Sequence, residues 1–136
     1  GADDNASGTA GLLELAKYWA QHRDRRFNFL FLAFSGEELG LLGSAYFVRN
    51  PWLPLDSVVA MFNMDMIGRL LDSTKQLGVH GTGTALEWSA LVDSLAGPLR
   101  IKSSPAGTGS SDHQSFYLQN VPVLHFFTGT HEDSSR

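Results

Sequence analysis

Three nearly uninterrupted apolar runs constrain this chain most: FNFLFLAF at 27–34, SVVAMFN at 57–63 and VPVLHFF at 121–127. Apolar side chains on consecutive positions, rather than on every second one, belong to strands covered on both faces, as in a mostly parallel sheet between helices. The aromatic-rich run at 27–34 is expected at the centre of that sheet, with one more short strand at 76–80. Helical patterns lie between the runs. Leu12, Leu13, Leu15, Ala16, Trp19 and Ala20 recur at helical intervals behind Ser7 or Thr9 as a cap, which predicts a helix over 9–22; the cations at 22–26 suit its negative end. A second helix follows Glu37–Glu38 and ends before Pro51 and Pro54, a surface helix covers 85–96, and a brief one covers 112–119. The Ser/Gly-rich stretch 103–111 is a loop within the same domain. Alternating strands and helices over 136 residues, enough for about one domain, predict an α/β three-layer sandwich with a mostly parallel, central mixed sheet.

Composition narrows the chemistry. Ten Lys and Arg against 14 Asp and Glu give a net charge of −4, too few cations for a surface that tracks phosphates, so nucleic acid is excluded as a partner. Cysteine is absent, so disulfides, thiolate metal sites and a cysteine nucleophile are all ruled out, and any metal must take oxygen or imidazole ligands. The longest apolar stretch, 27–34, is far short of the ~20 residues that cross a bilayer, and no membrane helix is expected. Gly1-Ala-Asp-Asp opens the chain without a basic or apolar leader, so no secretory signal is read in it and the compartment stays open.

Acidic motifs stand just beyond each apolar run: Glu37–Glu38, Asp65, and His131-Glu132-Asp133. That is the carboxyl edge of the sheet, where open α/β folds place their ligand crevices. Asp3-Asp4-Asn5 immediately precedes the first helix. Singly, each motif reads as a cap, a first helical turn or a turn former. Converging on one edge, they need a cation or hydrogen-bond donors, because unpaired buried carboxylates cost several kcal/mol.

Gly1-Ala-Asp-Asp-Asn-Ala-Ser-Gly8, Ser35-Gly-Glu-Glu-Leu-Gly-Leu-Leu-Gly-Ser44, Asn63-Met-Asp-Met-Ile-Gly68, Ser111-Asp-His113 and Thr128-Gly-Thr-His-Glu-Asp133 occur in the order seen in the co-catalytic di-zinc aminopeptidases, which this chain resembles from end to end. The same family holds glutaminyl cyclases and the non-enzymatic transferrin-receptor ectodomain. The resemblance implies that residues 1–136 are part of a zinc-aminopeptidase catalytic domain that hydrolyses N-terminal peptide bonds of peptide or aminoacyl substrates. It implies two Zn²⁺ ions, with Asp4 bridging them, Glu38 on one, Asp65 on the other, and Glu37 as general base. Consecutive acids at a tight turn send one carboxylate to metal and the next to water, and paired zinc ions about 3.5–4 Å apart activate that water. A cis Asp4–Asn5 peptide is implied as well. Gly36 would free the turn into Glu37, and Gly8 would allow close packing at the helix start.

Against this pattern stands the histidine count. The family uses one imidazole per metal: the first in an Ala-His-Tyr-Asp-like stretch upstream of the Gly-Ala-Asp-Asp motif, the second in a Tyr-His pair where this chain has Ser134 and Ser135. Carboxylates alone form a hard oxygen site and select Zn²⁺ poorly, so weak or absent activity is expected of this chain by itself. His131 and His113 read as packing residues first and as ligand or pocket residues second; His22, His80 and His125 receive no role. Because the family's domain is longer at both ends, exposed sheet edges and helix faces are expected, and with them self-association. Two alternatives share the fold. One is a non-catalytic binding or assembly module, favoured by the missing histidines and opposed by the retained Glu37–Glu38 pair. The other is a single-metal glutaminyl cyclase with an aromatic-walled pocket, for which Trp52 and Trp88 are available.

Overall fold

The first helix forms where the apolar spacing places it, as α1 (Gly8–Gln21), directly after an irregular turn over Ala2–Ser7. In the computed structural model, which describes residues 1–22 and 26–129, there follow α2 (Leu42–Arg49), β1 (Met61–Met64), β2 (Gln76–His80), α3 (Trp88–Leu95), β3 (Arg100–Ser104), α4 (His113–Tyr117) and β4 (Val123–Phe127). The strands make one mixed sheet in the order β1-β4-β2-β3. β4 runs parallel to β1, with Asn63 beside His125, and antiparallel to β2, with His80 beside His125; β2 and β3 are parallel. Two of the three pairings are therefore parallel, and helices flank the sheet: an α/β fold.

Burial explains why β4 is the axis of the fold. Val123 and Leu124 are 0% and 3% exposed, and Phe47, Val48, Phe116 and Val121 close around Val123. The rings of Phe34, Phe47 and Phe116 lie 5.7 to 6.1 Å apart, within the range where tilted aromatic pairs add to simple area burial. Gly8 sets α1 against the end of β1. A Cβ at this position would sit 2.2 Å from the Met64 carbonyl oxygen, so only glycine permits the approach.

Three expectations need correction. Residues 27–34 form no strand: the segment has no ladder partner, and Phe27, Phe29, Leu30 and Phe31 are 36 to 58% exposed. An apolar run reports a tendency to be covered, but a strand also needs a hydrogen-bonding edge, and among the described residues β1 pairs only with β4. Only Leu32 and Phe34 of the run reach the core, while Phe29 stacks on Trp19 of α1 at 4.3 Å. The run at 57–63 becomes regular only from Met61, because Leu55–Ser57 coils into a 3-10 turn behind Pro54. The loop expected over 103–111 begins only after Ser104, because an unanticipated strand, β3, takes Ser103 and Ser104; its sequence, RIKSS, is polar and charged, the composition of an edge strand protected against further pairing.

The chain exposes 9408 Å², against roughly 7,000 Å² for a compact monomer of its mass. Leu86, Leu39 and Leu95 are at least 74% exposed, in keeping with the uncovered apolar faces that the sequence predicts. Among the described residues no helix is long and apolar enough to cross a membrane.

Candidate active site

The turn before α1 is a clamp on the loop that leaves β1. Asn5 accepts from the Gly8 and Met66 amides through Oδ1 (3.0 and 3.3 Å) and donates from Nδ2 to the Met64 carbonyl (3.1 Å). Asp3 accepts from the Gly68 amide at 2.8 Å and faces Arg69 at 3.5 Å, while the Ser7 hydroxyl receives the Ile67 amide at 3.0 Å. Five contacts from one short turn thus hold 64–69. Between the two clamping residues, Asp4 stays exposed, in a non-helical conformation (φ −104°, ψ 103°) beside a cis Asp4–Asn5 peptide. The outer members of Asp3-Asp4-Asn5 are structural; the middle one is free for a ligand.

Glu37 and Glu38 stand in the tight turn that opens α2. Gly36 has φ +69°, a left-handed conformation that suits glycine, and the Leu41 amide bonds back to the Glu37 carbonyl at 2.8 Å. Gly43 lies so close beneath the turn that a Cβ there would be 2.7 Å from the Ser35 carbonyl oxygen. The turn is therefore packed on its inner side, with Glu37 half-buried and Glu38 exposed.

Asp65 lies one residue past β1, half-buried, and accepts a 2.8 Å hydrogen bond from Ser111 at Oδ2. The Ser111-Asp-His113 segment brings a further acid. Asp112 has its Oδ1 buried with no hydrogen-bond partner among the described residues, and burial raises its pKa; the Ser44 hydroxyl opposes the rise and Asp65 adds to it. Glu37 is raised too, first by burial and then by the charges of Asp65, Glu38, Asp112 and Asp4 in that order. Acids from its own turn and from three other segments therefore act on one carboxylate.

That surplus of negative charge and oxygen donors fits a divalent cation in kind. Among the described residues, however, no three acid or imidazole side chains already gather tightly enough to hold a metal ion. Asp4 and Glu38 are exposed side chains of this acidic rim, and Asp65 is half-buried behind it. Beside it opens a cleft of about 410 Å³, lined by Glu37, Glu38, Leu41, Gly109, Ser110 and Gln114 among others. Gln114 fixes its wall by accepting the Gly109 amide at 3.0 Å.

The histidines lie beneath this rim. His113 is 1% exposed, stacks on His125 at 4.4 Å and 5°, and has neither ring nitrogen hydrogen-bonded among the described residues. Burial, then His80, pushes its pKa down to about 4; burial, then His113 and His80, pushes His125 down to about 3. Both are uncharged at neutral pH. His131, with Glu132 and Asp133, lies outside the described residues. The sequence reading passed over Asp112 and over the polar chain through Asn63, Ser111 and His125. Asn63 and Ser111 sit inside motifs already singled out, whereas His125 carried no local signal. Neither tryptophan lines the cleft: Trp88 packs against Phe62, and Trp52 is 81% exposed beside Phe47.

The sequence profile of peptidase family M28 matches residues 1–135. Aminopeptidase YwaD of Bacillus subtilis is 32% identical over 97% of this chain and 30% of its own length. A solved structure of BSAP, a zinc aminopeptidase from Bacillus subtilis, superposes with a TM-score of 0.78 at 30% identity, covering 100% of this chain and 34% of that one. The glutaminyl cyclase of Porphyromonas gingivalis shares the fold, with a TM-score of 0.66 at 21% identity over 98% of this chain and 53% of that one. The chain thus spans about a third of the length of the aminopeptidases it matches.

Proposed function

Because the chain belongs to peptidase family M28, we propose that it forms part of the catalytic domain of a zinc-dependent aminopeptidase, which removes N-terminal residues from peptide or aminoacyl substrates. Asp4, Glu38 and Asp65 are the carboxylates that would hold the zinc. A bound cation supplies Lewis acidity towards a peptide carbonyl and towards water. Glu37 is the general base, taking a proton from water and passing it to the departing amine. The observation that carries this reading is the match of the family profile over residues 1–135, with Glu37 half-buried beside Glu38 at the edge of the cleft. Partial burial, and after it the charges of Asp65, Glu38, Asp112 and Asp4, move Glu37 in the direction that makes a carboxylate a better proton carrier near neutral pH.

The cleft next to the acids receives the substrate, with Gly109, Ser110 and Gln114 on its wall. The exposed apolar side chains along α3 and 27–34 favour self-association of the 136-residue chain in isolation. With the family's imidazoles missing from this sequence, that isolated chain hydrolyses weakly or not at all. Aminoacyl-anilide hydrolysis by the intact protein, with and without added Zn²⁺, tests the function. Glu37→Gln is expected to lower kcat by about 10²–10⁴, the usual worth of a general base, while leaving zinc binding in place. Unchanged turnover in that variant would remove Glu37 from the mechanism.

A further inference from the structure

Asn63 and His125 are directly paired across β1 and β4, and a hydrogen-bonded chain leads from them to Asp65. Its polarity is fixed from one end. An ionised carboxylate only accepts, so the hydroxyl of Ser111 donates to Asp65 Oδ2 (2.8 Å). The Ser111 oxygen is then an acceptor for Asn63 Nδ2 at 2.8 Å. That amide nitrogen also lies 3.0 Å from His125 Nδ1, which can only be accepting, so the imidazole proton sits on Nε2. Four side chains thus have a single consistent arrangement of hydrogens, in which each bond polarises the next. Ser111 and His125 are 4% and 7% exposed, so water does not compete for these bonds. His125 is itself held between the ring of His113 at 4.4 Å and that of Phe127 at 6.1 Å, and its burial keeps it neutral and accepting.

We propose that Asn63, braced against His125, is a positioning residue for Asp65, acting through Ser111 to hold one carboxylate oxygen and leave the other for metal. This rests on the reading of Asp65 as a metal ligand. Among the described residues no hydrogen bond reaches Asp65 Oδ1, so the network commits Oδ2 and only Oδ2. A carboxylate anchored at one oxygen presents the other without losing rotational freedom on binding, which is how outer partners raise metal affinity.

The test is zinc affinity of the intact protein, measured by competition with a chromophoric chelator, alongside thermal melting without metal. Ser111→Ala cuts the link to Asp65 and leaves the Asn63–His125 pair in place; Ser111→Thr keeps the hydroxyl. Ser111→Ala is expected to weaken zinc binding about 10-fold or more, and Ser111→Thr to stay within about 2-fold of wild type. Asn63→Leu, which removes the donor, should match Ser111→Ala in affinity and in a KM-against-kcat comparison. Asp65→Asn is the reference. If Asp65→Asn abolishes tight binding but Ser111→Ala binds like wild type, the positioning role is wrong while the metal site stands. If Asp65→Asn binds like wild type, the metal site reading falls and the positioning role falls with it. Equal losses in Ser111→Ala and Ser111→Thr would mark a packing effect and overturn the proposal.

Discussion

Two stretches of nearly equal apolarity, 121–127 and 27–34, end in opposite circumstances. Val121, Val123 and Leu124 are at most 3% exposed in and beside a strand paired on both sides, whereas Phe27, Phe29, Leu30 and Phe31 stand 36 to 58% exposed with no ladder partner. Both sequences satisfy the rule for a doubly covered strand. The difference teaches that apolarity sets a demand for cover, while the backbone's hydrogen-bond partners decide whether that demand is met by a sheet. It also locates the folding energy: β4 closes the ring cluster of Phe34, Phe47 and Phe116, to which the longest apolar run contributes only its end.

The largest expected break in this contrast comes from truncating a ring on the β4 side. Phe116→Ala, at a site 2% exposed, should lower unfolding free energy by about 3–5 kcal/mol in urea titrations. Next in size is acid. His113 and His125 bind protons near pH 6.5 when unfolded but only at about 4 and about 3 when folded. Between those values the unfolded chain holds more protons, so stability is full above about pH 6.5, declines as pH falls, and has lost these contributions below about pH 3, on the order of a few kcal/mol. The run at 27–34 contains no titratable group and adds nothing to this dependence. A urea midpoint unchanged from pH 7 to pH 4 would contradict the buried imidazole stack. The smallest effect belongs to the exposed run: Phe31→Ala should cost less than about 1 kcal/mol, and a loss comparable to that of Phe116→Ala would show that 27–34 is covered after all.

Much of the architecture was legible because period and punctuation agree: the spacing of Leu12 to Ala20 marks α1, Pro51 and Pro54 follow α2, and VPVLHFF contains β4. The sheet's order was not, since pairing is a long-range property; nothing local shows that β4 inserts between β1 and β2. At the rim, the acids were visible as types standing past apolar runs. What each acid does was partly hidden. Asp3 and Asp4 are adjacent and chemically identical, yet one is tied to the Gly68 amide and Arg69 and the other is exposed. Asp112 was concealed between two residues of a motif, and His125 within an apolar strand, where only the register with Asn63 reveals its use.

The claim on which the account turns is that acids from separate segments share divalent cations. Zinc content of the intact protein after dialysis against metal-free buffer, compared with that of Asp4→Asn, measures it directly. The account predicts bound zinc in the wild type and its loss in Asp4→Asn, because Asp4 is one of the carboxylates proposed to share the metal. Equal zinc content in the two proteins, or none in the wild type at saturating metal, would contradict it.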